Sequence, residues 1–86
     1  MKQVTLFYQQ YCPFCVKAFY YIDELKKEHP ELNDLTIETI DEIKEAALAD
    51  QYDYYYVPTF YMDGKKVHEG AVTKPEVEKI LLEAIK

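Results

Sequence analysis

The chain has 86 residues, 49% of them apolar and nine of them tyrosine, which excludes disorder and allows one core without staples. Ten lysines, sixteen acidic residues and no arginine leave a net charge of −6. That balance repels a phosphate backbone, and any bound carboxylate must be held by lysine or backbone N–H groups rather than a guanidinium clamp.

Along the chain, Val4-Thr5-Leu6-Phe7-Tyr8 is almost continuously apolar, the pattern of a strand covered on both faces. Tyr11-Cys12-Pro13-Phe14-Cys15 follows and holds the only two cysteines, two residues apart. From Pro13 to about Lys27, Cys15, Ala18, Phe19, Ile22 and Leu25 recur at helical spacing with charged residues opposite. His29-Pro30 ends this helix, because the residue before a proline avoids the α region, and Glu31 to Asp34 reads as a polar connection.

Leu35 to Ile40 is a second strand, rich in β-branched residues. Asp41 is the expected N-cap of a short helix through Ile43, Ala46, Ala47 and Leu48, with Glu42 and Glu45 favourable near its start. Val57 to Met62 is a third strand, Asp63-Gly64 a hairpin turn, and Lys65 to His68 the returning strand. His68 and Glu69 read as the rim of that hairpin. Thr73-Lys74-Pro75-Glu76 is a capping box ahead of the apolar stripe Val77, Ile80, Leu81 and Ala84.

The expected architecture is therefore α/β, in the order β-α-β-α-β-β-α. A parallel strand pair with a right-handed helical crossover carries an antiparallel hairpin in a four-stranded mixed sheet, with helices on both faces. One domain over residues 1–86 is expected. No apolar run approaches the roughly 18 residues of a membrane span. The start, Met1-Lys2-Gln3-Val4, lacks an apolar signal core, so a reducing cytoplasm is the expected location. A monomer is the default, since no apolar stripe is left over once the core is assigned.

A strand that delivers C-x-x-C to the first turn of a helix points to redox chemistry. Unpaired N–H groups and the positive end of the helix dipole favour the Cys12 thiolate, the only form that attacks a disulfide. Pro13 suits the first helical position, which has no use for its N–H. Cys15, one turn further in on the apolar face, is the expected resolving thiol. No proton acceptor for it is evident, and its proton is expected to go to water or the leaving thiolate. Zinc is the rival chemistry, but it needs three or four ligands, and only His29 and His68 remain, far apart in sequence. The expectation is no metal and no bound cofactor.

With Cys12-Pro13-Phe14-Cys15 after a first strand and Val57-Pro58 opening a hairpin, the chain resembles the glutaredoxins, within the wider thioredoxin superfamily, over essentially its whole length. The resemblance implies thiol–disulfide exchange on protein or glutathione mixed disulfides, with Cys12 as nucleophile and Cys15 resolving. Glutathione is implied as a co-substrate, or a flavoprotein reductase as the source of electrons. It also implies a cis Pro58 facing the dithiol, with the Val57 backbone pairing to an extended substrate as an added strand.

The departures from that family are specific. Gln9 stands where glutathione-binding members commonly carry Lys or Arg, and Tyr56 where a Thr usually precedes the Val-Pro. His68-Glu69-Gly70-Ala71-Val72-Thr73 replaces the Gly-Gly segment that cradles the γ-glutamyl group. No Trp precedes Cys12, and Leu6 occupies the place of the buried Asp of thioredoxins.

Tyr11, Pro13, Phe14, Tyr56, Val57 and Pro58 are assigned to the substrate surface around the dithiol, whereas Tyr54 and Tyr55 are assigned to strand packing. Lys17 reads equally as a solvated lysine or as a cation that steadies the Cys12 thiolate. The alternative function of a different class is a non-catalytic binding module that uses the tyrosine surface.

Overall fold

Strand β1 (Val4–Tyr8) pairs in parallel with β2 (Ile37–Asp41) and antiparallel with β3 (Thr59–Met62), and β3 pairs with the edge strand β4 (Lys65–Glu69), giving the order β2-β1-β3-β4. The computed structural model describes residues 1–86. Helix α1 (Pro13–Glu28) and a 3₁₀ turn (Pro30–Asp34) cross from β1 to β2, a short α2 (Ala46–Ala49) follows β2, and α3 (Lys74–Ala84) follows β4. This is the four-stranded mixed α/β sheet the residue patterns predict. No helix is long and apolar enough to cross a membrane.

Alternation along β1 sends its side chains to two different cores. Val4 and Leu6 join Phe60 and Met62 on one face, under Ala18, Ile22 and Leu25 of α1 and Val77, Ile80, Leu81 and Ala84 of α3. Phe7 points to the other face and packs with Ile40, Ala49 and Tyr61, beneath Leu48, Tyr52 and Tyr54. The second core is mostly aromatic. The Phe7 ring centroid lies 4.7 Å from that of Tyr52, 4.9 Å from Tyr54 and 5.6 Å from Tyr61, the last edge to face.

The Asp63-Gly64 turn has φ of 51° and 82°, the left-handed pair a two-residue hairpin of this hand requires. Asp63 also ties the hairpin to the chain start: its carboxylate accepts from the Gln3 N–H at 2.9 Å and its N–H donates to the Gln3 carbonyl at 2.8 Å. At Thr73 the capping box forms in both directions, with Glu76 returning to the Thr73 N–H at 2.9 Å.

Four local expectations are corrected. The segment from Glu31 to Asp34 is part of a 3₁₀ helix rather than an open connection, because Leu32 is fully buried and pins it. Strand β2 begins at Ile37 rather than Leu35 and runs on to Asp41. Asp41 therefore does not cap α2. It is buried at the strand end, where its carboxylate accepts from the N–H groups of Ile43 and Lys44, and α2 shrinks to one turn. Finally, β3 begins at Thr59, since Pro58 has no N–H to give to the ladder. The tyrosines before it consequently lie in a loop and not on a strand. Tyr54 still packs, but Tyr55 is 87% exposed.

Candidate functional site

Sheet register gathers the candidate residues at one end of the molecule. Phe7 pairs with Thr59 and Tyr8 with Asp41, so the residues after β1, the residues after β2 and the loop before β3 all emerge from the same edge. Cys12 is the N-cap of α1 and Pro13 its first residue. Tyr11 has φ of 70°, a left-handed conformation uncommon outside glycine, and it turns the chain between β1 and α1. The Cys12 N–H donates back to the Gln9 carbonyl at 3.3 Å and the Val16 N–H to the Cys12 carbonyl at 2.9 Å, which starts the helix.

The two sulfurs are unlike. Cys12 is half-buried and Cys15 is 1% exposed; both are free thiols. Burial pushes the Cys12 thiol up, but donation to its sulfur from the Cys15 N–H, the Cys15 thiol and the Phe14 N–H outweighs that, and the net shift is downward. Burial likewise pushes Cys15 up, the neighbouring Cys12 adds to it, and the Gln9 N–H on its sulfur recovers only part, leaving Cys15 raised to about 12. Cys12 is thus the more acidic thiol of the pair, and Cys15 keeps its proton and donates to the Cys12 sulfur. Lys17 is exposed, and the Cys12 thiol is set by backbone and by Cys15 instead.

The surroundings match some sequence assignments and not others. Tyr11, Phe14 and Tyr56 are large exposed side chains, 86%, 52% and 71% accessible. Pro58 is buried, its peptide bond with Val57 is cis, and neither the N–H nor the C=O of Val57 enters a backbone–backbone hydrogen bond. His29, by contrast, lies away from the dithiol, bonded to Glu78 at 2.8 Å, and His68 bonds the Ala71 carbonyl at 2.9 Å.

Two acidic residues belong to the site although the periodicity assigned them elsewhere. Glu42, read as a helix-start acid, has its N–H on the Tyr8 carbonyl at 2.9 Å. Its carboxylate receives the Gln9 side-chain amide and, at 2.9 Å, the Tyr54 hydroxyl. It also acts electrostatically on both cysteines, pushing each upward. The Tyr54 hydroxyl is itself held protonated, by burial first and by Glu42 second. The signal for Glu42 was topological: a parallel partner strand that ends opposite Tyr8 sets its next residue beside Gln9. Glu69, read as hairpin rim, reaches the loop before Pro58.

Glu42→Gln is expected to lower the Cys12 pKa further, because it removes a negative charge that opposes the thiolate. In the native protein, thiolate absorbance followed against pH should show Cys12 titrating below the ordinary cysteine range and Cys15 near 12. An unchanged or raised Cys12 value in the variant would contradict the assignment of Glu42.

Residues 2–85 match the thioredoxin family profile, and the chain belongs to that family. No curated protein sequence matches the chain. Among solved structures, a single-site variant of thioredoxin from Halobacterium salinarum is similar with a TM-score of 0.73 and 22% identity, over 99% of this chain and 75% of that one. Thioredoxin from Fasciola hepatica gives 0.72 and 23% identity, over 96% and 80% of the two chains. Oxidised mitochondrial thioredoxin from Saccharomyces cerevisiae gives 0.71 and 23%, over 95% and 77%. These likenesses show the fold, and family membership supports thiol–disulfide oxidoreductase chemistry.

Proposed function

We propose that the protein is a dithiol reductase of protein disulfides, with Cys12 as nucleophile and Cys15 as resolving thiol. The observation that carries this reading is the division of labour between the sulfurs, one lowered and accessible at a helix N-terminus, the other raised and buried beside it. In the first step the Cys12 thiolate attacks a substrate disulfide, forming an S–S bond to one half and releasing the other as a thiolate. Cys15 then gives up its proton to water or to the released substrate thiolate and attacks the Cys12 sulfur. The Cys12–Cys15 disulfide forms, the substrate leaves as a second thiolate, and two electrons have passed to it.

The free backbone edge of Val57 supports recognition of an extended substrate segment by strand addition, flanked by Tyr11, Phe14 and Tyr56. Resetting requires a two-electron donor. A flavoprotein reductase is favoured over glutathione, because Gln9, three residues before Cys12, has no charge to neutralise a glutathione carboxylate and already donates to the Glu42 carboxylate. Glutathione is the second reading, favoured by the Cys-Pro-Phe-Cys motif itself. The reaction needs no bound cofactor in this protein, and a reducing compartment such as the cytoplasm would keep the dithiol charged with electrons.

The test is a Cys15→Ser variant incubated with native cell extract. It is expected to accumulate mixed disulfides on Cys12 that dithiothreitol releases, and to have lost catalytic turnover. A variant that traps nothing and leaves model protein disulfides untouched would instead favour a non-catalytic binding module.

A further inference from the structure

A carboxylate from the edge strand reaches the loop that carries Val57. Oε2 of Glu69, the last residue of β4, accepts from two consecutive N–H groups, Tyr55 at 2.7 Å and Tyr56 at 3.1 Å. Its other oxygen, Oε1, accepts from the Lys66 ammonium at 2.7 Å. Two further contacts close the same loop from around it. The Gly70 N–H donates to the Pro58 carbonyl at 2.8 Å, and the Thr59 hydroxyl donates to the Tyr56 carbonyl. Gly70 itself sits at φ +90°, which lets the chain turn directly after Glu69 beneath Tyr56.

We infer that Glu69 is a positioning residue for substrate capture, holding Tyr55 and Tyr56 by their N–H groups so that the unpaired edge of Val57 is presented in fixed register to the substrate backbone. This rests on the proposed reductase activity and names a residue outside the dithiol on which its protein substrates depend. The effect is entropic. Tyr55 and Tyr56 are mostly exposed and gain little from packing, so without the carboxylate both N–H groups lose their partner and more of the ordering of this backbone falls to the incoming substrate. Fixing a binding edge in advance lowers the cost of association without adding any contact to the ligand. Because the anchor reaches Cys12 only through the substrate, it acts on capture and leaves sulfur chemistry alone. Lys66, and secondarily the Tyr55 and Tyr56 N–H groups, keep the Glu69 carboxyl at about 2, so the anchor stays charged throughout the range in which thiols react.

The experiment compares a small aromatic disulfide, which has no backbone to pair, with a peptide disulfide carrying several extended residues on each side of the cysteine. In Glu69→Ala the KM for the peptide is expected to rise about tenfold, the equivalent of about 1.4 kcal/mol, while kcat and the rate on the small disulfide stay within about twofold. Glu69→Gln keeps one acceptor oxygen and should recover part of the loss. Lys66→Met removes the ion pair but not the acceptor and should leave the peptide KM nearly unchanged. An unaltered peptide KM in Glu69→Ala, or an equal rise in Lys66→Met, overturns the inference.

Should Glu69→Ala fail to fold, amide exchange in the native protein decides the matter. Protected Tyr55 and Tyr56 amides support the anchor, and freely exchanging ones refute it. Native protein inactive on both disulfides would count against the reductase reading, whereas native activity with an indifferent Glu69→Ala would count against this inference alone.

Discussion

Replacing Cys12 by serine is expected to abolish disulfide exchange, by about a thousandfold or more, with no loss of fold. A serine hydroxyl is far weaker as an acid than any thiol, so the donors that lower the Cys12 sulfur cannot make it an anion at neutral pH, and an alkoxide forms no disulfide. Cys15 cannot take over. It is 1% exposed, and burial, the largest cause of its raised pKa, persists in the variant, so at neutral pH little of it is thiolate and that little is out of reach of a protein substrate. The measurement is reduction of a protein disulfide under saturating chemical reductant, with circular dichroism to show that the variant is folded. Because Cys12 is only half-buried and its side chain caps nothing, the substitution removes little packing. Residual exchange within tenfold of native would mean that Cys15 is the attacking sulfur, and the polarity assigned to the pair would be reversed.

The second large effect belongs to Phe7. Phe7→Ala is expected to destabilise the protein by about 3–5 kcal/mol, the range for deleting a fully buried aromatic side chain. Phe7 is 0% exposed and is the common neighbour of Tyr52, Tyr54 and Tyr61, so its loss opens a cavity that none of the three can fill without leaving the others. Against the total of about 5–15 kcal/mol that domains possess, this is a large fraction. At about 4–8 °C for each kcal/mol in a domain of this size, the melting temperature should fall by at least about 12 °C. Tyr55→Ala serves as the control: that ring is 87% exposed, and its removal should stay within about 0.5 kcal/mol. Thermal melts of the two variants settle the point, and a Phe7→Ala loss below about 1 kcal/mol would mean the aromatic core is not cohesive. The same variant should also disturb activity, since Tyr54 carries the hydroxyl that holds Glu42 beside the dithiol.

These two positions mark how far the residue pattern reached. Cys12 was legible because its chemistry depends on neighbours within four residues: Pro13 starts the helix, and the N–H groups of Phe14 and Cys15 follow from helical geometry alone. The order of elements along the chain and the α3 capping box were legible for the same reason, as period and caps are local. The tyrosine run was only half legible. Alternation suggested a strand, but Pro58 delays β3 to Thr59, and which tyrosine faces the core then depends on where Phe7 stands on the far side of β1.

Glu42 and Glu69 show the limit most plainly. Glu42 is 33 residues from Gln9 and Glu69 is 14 from Tyr55, and neither distance has a period that a helix or strand would reveal. By itself the sequence determined the mixed sheet, the helix that begins at Pro13 and the unequal settings of two thiols one turn apart, because backbone geometry and a helix N-terminus act over a few bonds. Only the tertiary structure decided which carboxylates stand beside that dithiol and its substrate loop. A charge on an edge strand or a strand end has no preferred partner until sheet register brings one within hydrogen-bonding distance.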